Sequence, residues 1–97
     1  FSSIPDDIQI LVNYPNPFNP NTTIVYSLLE RSLVKLTIYD IQGRRIAKLY
    51  DGAQAPGRYD LGWNGVDLLG NPVSTGVYFA QLRTGHSNKT IKMLFTK

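Results

Sequence analysis

Three prolines and three asparagines crowd into eight residues, Asn13-Tyr14-Pro15-Asn16-Pro17-Phe18-Asn19-Pro20. Each proline fixes φ near −65° and lacks an N–H, so none can sit inside a helix or a central strand. Each also disfavours helical geometry in the residue before it. Asparagine side chains supply turn hydrogen bonds where ladder bonds are missing. The run therefore reads as a stiff crossover at a sheet edge or between two sheets. Tyr14 and Phe18 are expected to pin it to the core.

What flanks the run is period two, the mark of half-buried strands. Ile24, Tyr26 and Leu28 alternate with Thr23, Val25 and Ser27. Val34, Leu36 and Ile38 alternate with Lys35, Thr37 and Tyr39. The same pattern sets Tyr59, Leu61 and Trp63 inward, then Tyr78, Ala80 and Leu82, then Ile91, Met93 and Phe95. Shorter strands fit 8–13 and 45–50, although 44–49 also allows one helical turn. Turn signals fall between them: Asp40-Ile41-Gln42-Gly43, Asp51-Gly52, Pro56-Gly57, Asn64-Gly65, Gly70-Asn71-Pro72 and Thr84 to Asn88. About seven strands so punctuated predict an all-β sandwich. Trp63, the one tryptophan, is expected in the core.

The length of 97 residues predicts a single domain, with residues 1–12 as linker and first strand. A start at Phe1 suggests a piece of a longer chain. No cysteine is present, which excludes thiol catalysis and thiolate metal sites. No apolar stretch approaches a membrane span. The net charge is +3. Every acid lies at or before Asp67, whereas Arg83, Lys89, Lys92 and Lys97 follow it. The end of the chain is therefore basic, either as solvated strand faces or as a contact surface.

Catalytic chemistry has few candidates. His86, the sole histidine, falls in an expected hairpin tip with no evident group to orient it. Glu30 is the only glutamate, and Asp6 and Asp7 read as a solvated approach to the first strand. Asp60, Asn64, Asp67 and Asn71 could offer oxygen ligands to calcium, but turns favour the same residues. No cofactor is expected. Phe79, Arg83 and Lys92 are too sparse to predict nucleic-acid binding. Tyr39, Tyr50 and Phe79 are outward candidates for a sugar platform.

Several words, taken in order, resemble the C-terminal sorting domain of type IX (Por) secretion cargo. They are similar too to the immunoglobulin-like domain of the flagellar hook-capping protein. The words are Asn13 to Pro20, then Thr22 to Ile24 with Tyr26 and Leu28, and Val34 to Asp40 with Gly43. Gly57 follows, with Trp63-Asn64-Gly65, then Ser74 to Phe79 with Leu82, and finally Lys92-Met93. The fold signature on this reading is Tyr14, Pro15, Pro17, Phe18, Trp63 and Tyr78. The resemblance implies an immunoglobulin-like β-sandwich of about seven antiparallel strands, serving as a non-catalytic secretion address at the end of a larger cargo. That address is read by outer-membrane secretion machinery and in typical cargo removed by a sortase-like protease. It implies a secreted or cell-surface location reached through the periplasm, with recognition assigned to Arg83, Lys89, Lys92 and Lys97. The alternative is a structural or carbohydrate-binding accessory module.

Overall fold

The computed structural model describes residues 7–96, and Lys97 and Asp6 lie outside that range. Seven strands follow one another: β1 (Ile8–Tyr14), β2 (Thr22–Leu28), β3 (Ser32–Asp40), β4 (Arg45–Gln54), β5 (Gly57–Trp63), β6 (Gly76–Arg83) and β7 (Asn88–Phe95). They form two antiparallel sheets, ordered β1-β2-β5 and β4-β3-β6-β7. The sheets pack face to face as an immunoglobulin-like sandwich.

The alternation read from sequence sets the core. Ile24, Tyr26, Leu28, Val34, Leu36, Ile38, Ala80, Leu82, Met93 and Phe95 are buried between the sheets. Tyr26 brings a hydroxyl inside, and it donates to Gln54 Oε1 at 2.6 Å. Burial pushes this phenol up to about 12, against the opposing effect of the Gln54 hydrogen bond.

The proline-rich run leaves the edge of one sheet and attaches to the edge of the other. Phe18 forms a parallel bridge to Phe95. Its N–H donates to the Leu94 carbonyl at 2.9 Å, and its carbonyl accepts from Thr96 N–H at 3.0 Å. Asn16 extends the imitation with its side chain. Its Oδ1 accepts from Leu94 N–H, and its Nδ2 donates to the Lys92 carbonyl. Edge strands carry a row of unpaired backbone groups that invite wrong pairing. Here the run satisfies three such groups on β7 and a fourth on Thr96 just beyond it, without being a strand. At the other end of the run, Thr22 Oγ1 donates to the Pro15 carbonyl and accepts from Asn13 Nδ2.

Phe18 is 1% exposed and forms an aromatic cluster. Its ring lies 5.0 Å from Phe95 and 5.6 Å from Trp63, centre to centre. Trp63 meets Tyr78 edge-on at 5.5 Å. Both polar tips find carbonyls, as buried aromatic residues require. Trp63 Nε1 donates to Val66 O at 2.9 Å, and Tyr78 Oη donates to Ser74 O at 2.6 Å. The Tyr78 bond, reaching four residues back from an early strand position, has the form of a tyrosine corner. Gly65 closes the cluster with φ +73, and a Cβ there would approach the Pro20 carbonyl to 3.3 Å.

Tyr14 corrects the expectation that it anchors the crossover, because it is 78% exposed. It pairs with Thr23, an outward position of β2, so the sheet register turns its ring away from the core. Two turn assignments also change. Residues 44–49 form no helical turn, and β4 continues through Asp51-Gly52 to Gln54. Pairing of Asp51 with Lys35 and of Gly52 with Val34 overrides the local turn signal.

Asp7 is a further correction. It is not solvated but 1% exposed. Thr84 Oγ1 donates to both its carboxylate oxygens at 2.8 and 2.7 Å, and Ser32 Oγ donates to Oδ2 at 3.1 Å. The Asp7 N–H donates to Ser87 Oγ, and Lys89 Nζ donates to the Ile8 carbonyl. These contacts tie the start of β1 to the start of β3 and to the β6–β7 turn. Burial works to raise the Asp7 pKa, but hydrogen bonds from Ser87, Thr84 and Ser32 outweigh it and hold the carboxyl below its ordinary value.

Two predictions follow from this packing. Trp63→Ala should lower unfolding free energy by about 3–5 kcal/mol in urea titration, and an unchanged midpoint would refute the placement of its ring. Asp7→Asn should cost about 1–3 kcal/mol at pH 7. A depressed folded pKa stabilises the chain above the unfolded value of 3.8, and that gain is lost as pH falls through the folded value. The gap between wild type and Asp7→Asn should therefore close on acidification below about pH 4. A gap that stays constant with pH would contradict the ionised network.

Candidate functional site: a basic sheet face

Strand parity gives the β4-β3-β6-β7 sheet an outer face. Lys35, Thr37 and Tyr39 of β3 point away from Val34, Leu36 and Ile38. On β6 the outward set is Val77, Phe79, Gln81 and Arg83. Register then aligns them across strands. Arg45, Tyr39, Phe79 and Lys92 form one row. Lys48, Thr37, Gln81 and Thr90 form the next. Asp51, Lys35, Arg83 and Asn88 form the third.

This face carries Lys35, Arg45, Lys48, Arg83 and Lys92, all exposed, against the single acid Asp51. Five of the ten basic residues of the chain thus share one surface. Asp51 is engaged by Lys48 at 3.4 Å. Among the described residues, Lys35, Arg45, Arg83 and Lys92 make no ion pair. Lys35 and Arg83 stand directly opposite each other, an unfavourable arrangement that Asp51, opposite Lys35 on its other side, offsets only in part because Lys48 shares the same carboxylate. Beside this pair a depression of about 330 Å³ is lined by Leu33, Lys35, Asp51, Arg83, Thr84 and Gly85.

The residues singled out in the sequence separate here. Arg83 and Lys92 lie on the basic face. Lys89 does not, because its position pairs with inward-facing Leu82 and its ammonium tacks down the Ile8 carbonyl. Lys97 is outside the described residues. Among the sugar-platform candidates, Tyr39 and Phe79 are cross-strand neighbours on the face. Tyr50 is not with them, since it pairs with inward Leu36 and donates its hydroxyl to Ala53 O. Lys35, Arg45 and Lys48 were missed. Their outward parity was readable, but their grouping with Arg83 and Lys92 depends on β3 lying between β4 and β6.

Other candidates serve turns. Asp67 Oδ1 accepts from Leu69 and Asn71 N–H groups, which closes its loop. Asp40 accepts from the backbone N–H groups of Gln42 and Arg44 and pairs with Arg44 Nε at 2.8 Å. His86 is exposed in the β6–β7 turn, with Nε2 3.6 Å from Glu30 Oε1. Among the described residues, no three His, Cys, Asp or Glu side chains converge.

Comparison with known proteins agrees with this architecture. Residues 21–87 match the family model of the FlgD Ig-like domain. Among curated proteins, no sequence match was found. Among solved structures, PorZ of Porphyromonas gingivalis, described as a surface component of the type IX secretion system, superposes with a TM-score of 0.65 at 23% identity. That similarity covers 90% of this chain and 11% of PorZ. Dimeric latent PorU of the same organism superposes with a TM-score of 0.72 at 16% identity, over 89% of this chain and 9% of PorU. The DNA glycosylase AlkC of Pseudomonas fluorescens follows with a TM-score of 0.57 at 12% identity, over 94% of this chain and 30% of AlkC. The chain thus spans about a tenth of PorZ and of PorU, and at such identities the likeness is one of fold. The sandwich topology and the match over most of the sequence together make this chain a member of the FlgD Ig-like domain family.

Proposed function

We propose that the domain is a non-catalytic sorting module that directs a larger cargo across the outer membrane. The observation that carries this reading is the uncompensated pair Arg83 and Lys92, on the outer face of the final hairpin. The ordered sequence words that resemble type IX sorting domains support it. So does the fold shared with PorZ. On this reading the secretion machinery docks on the basic face, and Lys35 joins Arg83 as a contact. A sortase-like protease is a further partner, and the upstream cargo occupies the same chain. The product is secreted or displayed at the cell surface after passage through the periplasm.

The non-catalytic part of the proposal rests on the surroundings of His86. Its exposed ring has a loose carboxylate neighbour in Glu30, and the nearby Thr84 hydroxyl accepts from the His86 backbone N–H and donates to Asp7 rather than to the imidazole. The aromatic cluster around Phe18 has a separate role, since it holds the hairpin that carries Arg83 and Lys92 against the core.

Fusion of residues 1–97 to a periplasmically targeted reporter tests the proposal in a bacterium with a type IX system. The reporter should appear outside the cell. Arg83→Glu with Lys92→Glu should reduce export about tenfold or more, the loss of two charge contacts at about 0.7 kcal/mol each, with an unchanged melting temperature. A reporter that stays periplasmic with the intact domain would overturn the sorting role.

A further inference from the structure

We infer that the outer face of the β4-β3-β6-β7 sheet binds an anionic polysaccharide whose sugars carry carboxylate or sulfate groups. The inference concerns a ligand of the purified domain and stands whether or not the domain sorts cargo.

Charge complementarity supplies the first argument. Five cations against one acid favour an anionic partner, and one that reaches both Lys35 and Arg83 adds to the partial relief that Asp51, on the other side of Lys35, already gives. Screening confines such attraction to within about 8 Å at physiological salt, so the partner must lie on the sheet.

The order of residues in the first row supplies the second. Arg45, Tyr39, Phe79 and Lys92 run cation, ring, ring, cation across four adjacent strands. Three inter-strand steps make this row about 14 Å long. Tyr39 and Phe79 are half-buried, so they rise little above the sheet. A shallow aromatic platform suits the C–H face of a pyranose, while the flanking cations meet acidic substituents. The second row adds Gln81 and Thr90, whose amide and hydroxyl both donate and accept, as sugar hydroxyls require. The depression beside Lys35 and Arg83 is large enough for a single sugar unit.

A nucleic acid satisfies the charge but not the platform. Single-strand binders track the backbone along a groove and stack successive bases on aromatic side chains. Here the two rings sit side by side in one row across adjacent strands rather than following one another along a backbone track.

Affinity electrophoresis of the 97-residue chain through gels containing polygalacturonate tests the inference. Dextran gels give the neutral control, and gels with single-stranded DNA or polyglutamate give the anionic ones. Polygalacturonate should retard the chain at least tenfold more strongly than any control. Arg45→Gln with Lys92→Gln, both at exposed positions, should weaken retardation about tenfold. Tyr39→Thr should weaken it comparably without removing charge, and Arg58→Gln on the opposite sheet should leave it unchanged. Equal retardation by polyglutamate or DNA would overturn the glycan assignment in favour of charge alone. Unchanged retardation in both Tyr39→Thr and the double charge variant would overturn the site.

Discussion

The contact between the proline-rich run and β7 is the interaction on which the rest of the structure depends. A sandwich of seven strands has four sheet edges, and β7 is the last strand to arrive. Without cysteines, the domain has no covalent means of fixing that strand. Phe18 fixes it instead. Its backbone brackets Leu94 and Thr96, and its ring enters the core beside Phe95 and Trp63. The prolines make this efficient in entropy, because a segment already restricted in φ loses less freedom on docking.

Once β7 is held at its edge, the hairpin it forms with β6 has a defined register. That register lines up Lys92 with Phe79 and, across β3, with Tyr39 and Arg45. The basic face is therefore a product of topology. Its cations come from four strands and are scattered along the sequence from Lys35 to Lys92. The other end of the sandwich is closed by different chemistry. There the buried Asp7 carboxylate gathers the hydroxyls of Ser32 and Thr84. One end is stitched by aromatic packing, the other by an ionised hydrogen-bond network.

Much of this was legible in the residues. The alternation in β2, β3 and β6 names the core positions, and Gly43 and Gly65 take the positive φ values their turns need. Phe18 was readable as an anchor because a large apolar residue among prolines has few other places to go. Tyr14 was not, since its direction depends on which β2 residue it faces. Asp7 was missed because its partners lie 25 and 77 positions away, beyond any local pattern. The basic face was half legible: parity marks Lys35 and Arg83 as outward, but only strand order makes them neighbours. Reading charge along the chain instead joined Arg83 and Lys92 to Lys89, whose side chain serves the other side of the sheet.

Native-state hydrogen exchange at the Leu94 and Thr96 amides measures the central contact directly. Both N–H groups lie on the edge side of β7 and are covered by the proline-rich run alone. If the run closes the sandwich, both should exchange only on global unfolding, with protection matching that of central strand β3. In Asn16→Ala, Leu94 should lose that protection while Thr96, still bonded to the Phe18 carbonyl, keeps most of it. Exchange of both amides in the wild type at the rate of exposed loops would contradict the account.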